Sequence, residues 1–293
     1  MALLERWHEQ SRRTPRRIVL ADAGDKRAID AADKLNRQEL AIATVISNPS
    51  DHLSDAVRET AQALSKPVDL EDPLDVATLM VAAGDADGCV AGASRPTADV
   101  IRAGLRILGT NGPSAVSSCF LFILPDGRPL AYGDCGVLPD PDYHQLASIA
   151  ISSARTFQQL TGEEPKVALL SFSTKGSAEH PRVDKVRSAT TWAQVLAPEL
   201  KIDGELQFDA AIIPAIADSK APGSPVAGQA NVLVFPDLDS GNIAYKITER
   251  LGGAKAIGPL LQGLGGVLHD LSRGCSVDDI VNVSIIAGLQ AGD

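Results

Sequence analysis

Short apolar runs alternate with amphipathic segments along most of the chain. Residues 17–21, 43–46 and 88–91 are apolar runs of strand length, and the segments after them carry apolar residues at helical spacing. Because these runs are continuously apolar, we expect strands that are buried on both faces, as in a parallel sheet covered by helices. The pattern therefore predicts an α/β fold.

The middle of the chain departs from this alternation at one place. Residues 116–124 and 129–133 are two strand-like runs separated by Pro125-Asp-Gly-Arg128. An Asp-Gly pair between two strands is typical of a hairpin, so we expect an antiparallel insertion here. Beyond it the β-α order resumes, with helices predicted at 143–160, 183–196, 206–217, 243–251 and 277–289, and strands at 166–170, 231–235 and around Leu260.

The 293 residues leave room for about two domains on the usual length prior. The chain contains no internal repeat and no low-complexity linker. Two α/β lobes are therefore expected, with a boundary near Gly112-Pro113 and a return near Gly252-Gly253.

The charge and the cysteine content argue against some partners and cellular locations. The net charge of −10, from 27 Lys and Arg against 37 Asp and Glu, argues against a nucleic-acid partner, which needs a broad basic surface. Cys89, Cys119, Cys135 and Cys275 form no C-x-x-C pair and fit a reducing cytosol. The longest apolar stretch, residues 119–125, is far shorter than the roughly 20 residues that span a bilayer. We expect a cytoplasmic protein with no membrane partner.

Several nucleotide and metal motifs are missing from the sequence. No strand is followed by G-x-G-x-x-G, and Lys175-Gly-Ser177 has its lysine on the wrong side of the glycine for a P-loop. The five histidines are scattered, and none lies four residues from another. We therefore expect no metal site.

The loops after strands are the places to search for a ligand, because open α/β sheets bind ligands at the carboxyl ends of their strands. Ser171, Ser173 and Thr174 follow one strand, in a pattern that fits an anion cradle but is more often that of an ordinary strand-to-helix turn. Lys220 begins a loop rich in Pro and Gly, where it is either a phosphate ligand or a solvated charge.

The loop before the last predicted helix is the most informative. Ser276 and Asp279 fit a capping box, which alone would explain Asp279. Alternatively, Ser272, Arg273 and Asp279 provide a hydroxyl donor, a cation and a carboxylate base, a set suited to transfer between a thiol and a phosphate ester. Arg102 is either a surface residue or a second cation on that phosphate, since an arginine fork binds phosphate oxygens bidentately.

Several long and specific runs together resemble the phosphate acetyltransferase family. They are residues 87–92, 97–102, 165–177, 203–212, 220–228, 231–246 and 258–279. The resemblance implies a two-lobed fold similar to isocitrate and isopropylmalate dehydrogenases, with mainly parallel sheets and helices on both faces. Residues 1–114 and 254–293 would form the first lobe and 115–253 the second, with the active site in the cleft between them. It also implies a homodimer.

The implied reaction is reversible acetyl transfer between acetyl phosphate and coenzyme A, with coenzyme A as a substrate and no other cofactor. By resemblance, Asp279 would take the thiol proton, and Ser272 would hydrogen-bond the sulfur or the developing oxyanion. Arg273 and Arg102 would hold the phosphoryl group, while Cys135 and Cys275 would be bystanders. The other substrate-binding residues would be Lys220, Ser171, Ser173, Thr174 and Asn242.

Both substrates are anions, so we expect Arg102, Lys175, Lys220 and Arg273 to gather at one site.

The sequence also departs from the family pattern, because the segment 67–75 is short and lacks a Leu-Arg-x-x-Lys-Gly-like stretch. This departure keeps open a non-catalytic regulatory module that binds acyl-CoA. A phosphate butyryltransferase-like enzyme that acts on longer acyl chains also stays open, because the sequence does not show the size of the acyl pocket.

Overall fold

The computed structural model describes residues 2–112 and 114–292. The chain divides into two compact units, one of Met1–Pro113 with Ile257–Asp293 and one of Ser114–Ala256. The boundary predicted near Gly112-Pro113 includes Pro113, which lies outside the described residues. That the active site lies in a cleft between the lobes stays a prediction.

Strands and helices alternate along both units, which confirms the predicted α/β class. The strands are β1 (Arg17–Leu20), β2 (Ile42–Val45), β3 (Gly88–Ala91), β4 (Ser117–Ile123), β5 (Pro129–Gly133), β6 (Lys166–Leu170), β7 (Lys201–Leu206), β8 (Val232–Val234), β9 (Lys255–Gln262) and β10 (Leu268–Asp270). The helices are α1 (Leu3–Arg13), α2 (Lys26–Arg37), α3 (Asp55–Ala63), α4 (Pro73–Ala82), α5 (Thr97–Ile107), α6 (Tyr143–Thr161), α7 (Pro181–Leu196), α8 (Phe208–Ile212), α9 (Pro214–Lys220), α10 (Leu238–Arg250) and α11 (Val277–Gln290), with a 3₁₀ turn at Pro49–His52.

The first unit is built on a parallel sheet with the strand order β10-β3-β1-β2. Every residue of β3 is buried, and so are the last three residues of β1. Continuously apolar strands covered on both faces are what a parallel sheet requires. The prediction for these strands is confirmed.

The second unit contains strands in the order β7-β6-β8-β5-β4. Strand β6 pairs in parallel with β7 and β8, and β8 pairs in parallel with β5. Strand β4 pairs antiparallel with β5 across the turn at residues 124–128, which confirms the predicted hairpin. An aromatic cluster lies in its core, where the Tyr132 ring is 4.6 Å from that of Phe122 and 5.2 Å from that of Phe235.

The helix predicted at 206–217 is wrong. Strand β7 runs to Leu206, and two short helices, α8 and α9, follow it. They are separated because Ile213 precedes Pro214, and a residue before proline is restricted to extended backbone; Ile213 has φ −109° and ψ 112°. Pro214 then occupies the first turn of α9, where proline is tolerated.

Strand β7 was missed because its sequence, Lys-Ile-Asp-Gly-Glu-Leu, does not look buried. Asp203 and Glu205 are nevertheless buried, since Lys175 pairs with Asp203 and Arg187 pairs with Glu205 at 3.0 Å. Strand β10 and helix α1 were also not predicted. Across residues 2–112 and 114–292, no helix combines the length and apolar character that crossing a membrane would need.

Candidate active site

Three neighbouring parallel strands of the first unit end at the same edge of their sheet. Asp22 follows β1, Ala93 and Ser94 follow β3, and Ser272 and Arg273 follow β10. Because β10, β3 and β1 are adjacent and parallel, their carboxyl ends bring these loops together.

Asp22 ties the first two of these loops together. Its buried carboxylate accepts hydrogen bonds from the backbone N–H of Ala93 at 3.1 Å and of Ser94 at 2.8 Å, and from the Ser94 hydroxyl at 2.6 Å. A carboxylate with three donors is well compensated for its burial. Asp22 therefore fixes the backbone after β3 rather than facing a ligand.

Arg27 connects the loop after β10 to the loop after β3. Its guanidinium donates hydrogen bonds to the carbonyl oxygens of Arg273 at 2.8 Å, Cys275 at 3.0 Å and Ala93 at 2.8 Å. Asp25 holds the guanidinium through a salt bridge of 2.7 Å, and this hydrogen bond from Arg27 lowers the pKa of Asp25. Two of these charge-assisted hydrogen bonds thus fix the backbone of the predicted catalytic segment, and the third joins it to the loop after β3.

Ser272 and Arg273 are exposed at the tip of this loop. The Ser272 hydroxyl oxygen accepts the N–H of Gly274 at 3.3 Å, which leaves its own hydrogen free to donate. Within the described residues the Arg273 guanidinium has neither a salt bridge nor a hydrogen bond. An exposed arginine without a carboxylate partner on a fixed loop suits an anionic ligand.

The two carboxylate oxygens of Asp279 differ in their hydrogen-bond partners. The predicted capping box is confirmed: Asp279 Oδ2 accepts the N–H and the hydroxyl of Ser276, both at 2.8 Å, and the Asp279 N–H donates to the Ser276 hydroxyl at 3.2 Å. No donor in the described part of the chain binds Oδ1. One oxygen caps α11 and the other remains able to accept a proton.

Cys275 lies between these groups but is not a nucleophile. Burial raises the pKa of its thiol to about 11, although Arg27 beside it acts in the opposite direction. Burial also raises the pKa of Cys135 well above the ordinary value. Since the thiolate is the reactive form, both cysteines stay unreactive at neutral pH.

Asp270 is buried directly beneath the loop. Its carboxylate accepts a hydrogen bond from the Thr97 hydroxyl at 2.5 Å, and burial raises its pKa to about 7. A Cβ on Gly92 would lie 2.2 Å from Asp270 Oδ1, so only glycine fits between the ends of β3 and β10. Asp270 and Gly92 thus set how closely these two strand ends approach.

Arg102 lies on α5 of the same unit, and its side chain is mostly exposed. It forms a salt bridge with Asp99, three residues earlier on the helix. Such exposed pairs contribute little to stability, so a bound anion can replace the carboxylate at small cost. The role of Arg102 in binding phosphate stays a prediction.

The other predicted substrate-binding residues belong to the second unit. The Ser173 hydroxyl donates to Glu205 at 2.9 Å, and the Thr174 hydroxyl oxygen accepts the N–H of Gln207 at 2.9 Å. Both side chains are buried, whereas Ser171 is half-buried. Ser173 and Thr174 therefore fix the loop, and Ser171 is the more accessible hydroxyl.

Gln207 is the residue of this second set that sequence reasoning missed. Its side-chain oxygen accepts a hydrogen bond from the Lys220 ammonium at 2.8 Å, and its amide donates to the carbonyl of Phe172 at 2.9 Å. Gln207 thereby brings Lys220 next to Thr174. It was within the recognised run 203–212, but its role depends on contacts that only the fold creates.

Asn242 holds a turn of the second unit. Its amide donates to the carbonyl of Cys135 at 3.0 Å, and its side-chain oxygen accepts a hydrogen bond from Lys246 at 2.6 Å. A direct contact between Asn242 and substrate stays a prediction. No cluster of three or more His, Cys, Asp or Glu suited to a metal ion occurs among residues 2–112 and 114–292.

Comparison with known proteins places these loops in a family. A family model described as "Phosphate acetyl/butaryl transferase" matches residues 58–288. The chain is 43% identical to the phosphate acetyltransferase of Acetivibrio thermocellus over 99% of this chain and 98% of that protein, and 43% identical to that of Paracoccus denitrificans over 99% of each. The solved structure of a phosphotransacetylase from Streptococcus pyogenes matches with a TM-score of 0.92 at 38% identity, covering 99% of this chain and 98% of that one.

Proposed function

The chain belongs to the phosphate acetyl/butaryl transferase family, and on that premise we propose that it catalyses reversible acetyl transfer between acetyl phosphate and coenzyme A. It is an acyltransferase. The observation that carries the proposal is the segment from Ser272 to Asp279 on a loop fixed by Arg27. Within the described residues it combines an arginine without a carboxylate partner, a hydroxyl donor and a carboxylate oxygen without a donor.

In the forward direction Asp279 Oδ1 accepts the proton of the coenzyme A thiol. The pKa of a free cysteine thiol is about 8.5, so a nearby base raises the fraction of thiolate. The sulfur attacks the acetyl carbon of acetyl phosphate, and a carbon–sulfur bond forms. The carbon–oxygen bond to the phosphate breaks with its electron pair on oxygen. The departing phosphate takes up the proton that Asp279 accepted, which releases inorganic phosphate and regenerates the carboxylate.

Ser272 and the two arginines act on the charges that develop during this step. The Ser272 hydroxyl donates a hydrogen bond to the sulfur or to the oxyanion. Arg273 binds the phosphoryl oxygens, and Arg102 adds a second cation after releasing Asp99. Donors aimed at developing charge are among the largest contributions to catalysis. Coenzyme A enters as a substrate, and the reaction uses no other cofactor.

The residues of the second unit supply further contacts to substrate in this proposal. Lys220 and Ser171 are the members whose polar groups are accessible. Ser173 and Thr174 act by shaping the loop around them, and Asn242, which is half-buried, supplies a further contact to substrate.

The proposal is tested by mixing the purified chain with acetyl phosphate and coenzyme A and measuring acetyl-CoA and phosphate. We expect equal amounts of both products, and a lower kcat/KM when butyryl phosphate replaces acetyl phosphate. Binding of acetyl-CoA without any turnover would instead indicate a non-catalytic module. A higher kcat/KM with butyryl phosphate would reassign the acyl preference.

We also propose a homodimer that forms through helix α10. Ile243, Ile247 and Leu251 are exposed at intervals of four residues and form one apolar stripe. Charges of both signs lie beside it, so a second copy of the same helix complements the stripe. Sedimentation should give twice the chain mass of 30.6 kDa, and Ile247→Glu should reduce it to the single-chain mass. A wild-type chain that sediments as a monomer would contradict the dimer.

A cytoplasmic location completes the proposal. The four cysteines are buried free thiols, as expected in a reducing compartment.

A further inference from the structure

A small pocket opens in the second unit between the carboxyl ends of two adjacent strands, β6 and β8. Its volume is about 210 Å³. Enclosed sites for whole drug-sized ligands are roughly 300–1,000 Å³, so this pocket has room for one end group of a larger molecule. It is lined by Ser171, Phe172, Arg182, Lys185, Pro236 and Asp237, with Asp140 at its rim.

Phe172 presents an uncovered aromatic ring to this pocket. Phe172 is 57% exposed, the largest exposed fraction of any aromatic residue in the described part of the chain. The carbonyl of Phe172 is fixed by Gln207, and its ring meets His180 edge-on, with the centroids 5.8 Å apart. A held ring with an open face favours stacking of a flat heterocycle.

Arg182 gives the pocket a loosely held cation. Its side chain is 74% exposed, and its ion pair with Asp237 is long, at 3.8 Å. Lys185 is held more tightly, because its ammonium donates to Asp140 at 2.7 Å and to the carbonyl of Pro236 at 2.9 Å. The guanidinium of Arg182 is therefore the group that an incoming phosphate would engage.

The two acidic residues of the pocket do not prevent this. Asp140 is neutralised by Lys185, which lowers the pKa of Asp140. Asp237 uses one oxygen to accept the N–H and hydroxyl of Ser240 at the start of α10, at 2.9 and 2.7 Å. The other oxygen of Asp237 forms the 3.8 Å ion pair with Arg182, and it can accept a hydrogen bond from an amino group on a heterocycle once Arg182 turns to a phosphate.

The Phe172 ring, the Arg182 guanidinium and the Asp237 carboxylate suit a ligand that has a flat base with an amino group and a phosphate close to that base. We propose that this pocket binds the adenosine 3′-phosphate end of coenzyme A, with the adenine on Phe172 and the 3′-phosphate on Arg182. This inference rests on the proposed function, because it takes coenzyme A as the substrate. It assigns the nucleotide end of that substrate to the second unit.

The test compares coenzyme A with 3′-dephospho-coenzyme A in the acetyl-transfer assay. Arg182→Gln should raise the KM for coenzyme A about tenfold, the loss expected for a charge-assisted hydrogen bond, and leave the KM for the dephosphorylated substrate nearly unchanged. Arg155→Gln is the matched control, since Arg155 is also exposed and has a 3.8 Å ion pair, with Glu199. It should leave both KM values unchanged.

A second variant tests the stacking contact. Phe172→Leu should raise the KM for both substrates by a similar factor, because both carry adenine, while Phe172→Trp should restore it. Equal effects of Arg182→Gln on the two substrates, or no effect of Phe172→Leu, would overturn the assignment. Titration calorimetry with coenzyme A gives the same comparison without turnover. A wild-type chain that binds coenzyme A at this pocket but transfers no acetyl group would refute the proposed function alone.

Discussion

At the scale of single residues, the account depends on how Asp279 divides its carboxylate. Oδ2 accepts two hydrogen bonds from Ser276, and this alone would justify an acidic residue at the third position of α11. A capping role fixes the side chain without consuming Oδ1. The structural role therefore positions the base, and the two explanations of Asp279 are compatible.

The four basic residues expected around the anionic substrates differ in how they are held. Arg102, Lys175 and Lys220 each contact a carboxylate, from Asp99, Asp203 and Asp209 respectively. Arg273 is the member of this set without such a partner in the described residues. It is therefore the first of the four that a phosphoryl group would engage. That all four gather at one site stays a prediction.

At the scale of elements, strand β10 places two buried titratable groups side by side. Burial lowers the pKa of His269 to about 4 and raises that of Asp270 to about 7. His269 is held neutral between the N–H of Leu261 at 3.1 Å and the side chain of Gln290 at 2.6 Å. Both groups prefer their uncharged form when the strand is folded.

These two groups oppose each other in their effect on stability. Between about pH 4 and 6.5 the unfolded chain binds more protons at His269, so the free energy of unfolding rises with pH. Between about pH 4 and 7 the folded chain binds more protons at Asp270, so this contribution is greatest at low pH and is lost as the pH rises. The two effects largely cancel below pH 6.5.

Replacing Asp270 should reveal the pH dependence of stability that His269 causes. In Asp270→Asn the free energy of unfolding, measured by urea titration from pH 4.5 to 7.5 (around the two pKa values of about 4 and about 7), should rise with pH more steeply than in the wild type. Asp218→Asn makes the same chemical change at an exposed position and should run parallel to the wild type. Parallel curves for Asp270→Asn and the wild type would contradict the assignment.

The elements that could be predicted from the sequence are those whose pattern is local. Strands β1, β3 and β6 are continuous apolar runs, and the turn between β4 and β5 carries Asp-Gly. Strands β7 and β10 could not be predicted, because they bury Asp203, Glu205, His269 and Asp270. Their partners come from distant parts of the chain, so no local pattern shows that these polar groups can be buried.

At the scale of the whole molecule, the site residues that could be predicted are close in sequence, whereas the others depend on contacts between distant residues. Ser272, Arg273 and Asp279 lie within eight positions of one another, so their grouping was evident from the sequence. The link between Arg27 and Arg273 joins residues 246 positions apart, and that between Lys220 and Gln207 depends on β7. Contacts of this kind exist only once the sheets have formed.

The net charge of −10 is compatible with anionic substrates in this fold. Many other basic side chains pair with carboxylates, but Arg273 has no such partner among the described residues, so the acidic excess does not neutralise its charge locally. Exposed charges more than about 10 Å apart are largely screened at 0.1 M salt. An acidic protein can therefore bind anionic substrates at a locally positive loop.

The most direct test of the central claim compares two substitutions that damage the same helix cap. Ser276→Ala should destabilise the chain by about 1 kcal/mol. It should leave the kcat for acetyl-CoA formation within about twofold of the wild type, because the backbone N–H of residue 276 still holds Oδ2 of the Asp279 carboxylate. Asp279→Asn should lower kcat by about 10²–10⁴-fold, the usual contribution of a positioned base. If Asp279→Asn retained the wild-type kcat, or if Ser276→Ala lost as much, Asp279 would be a capping residue and not the base.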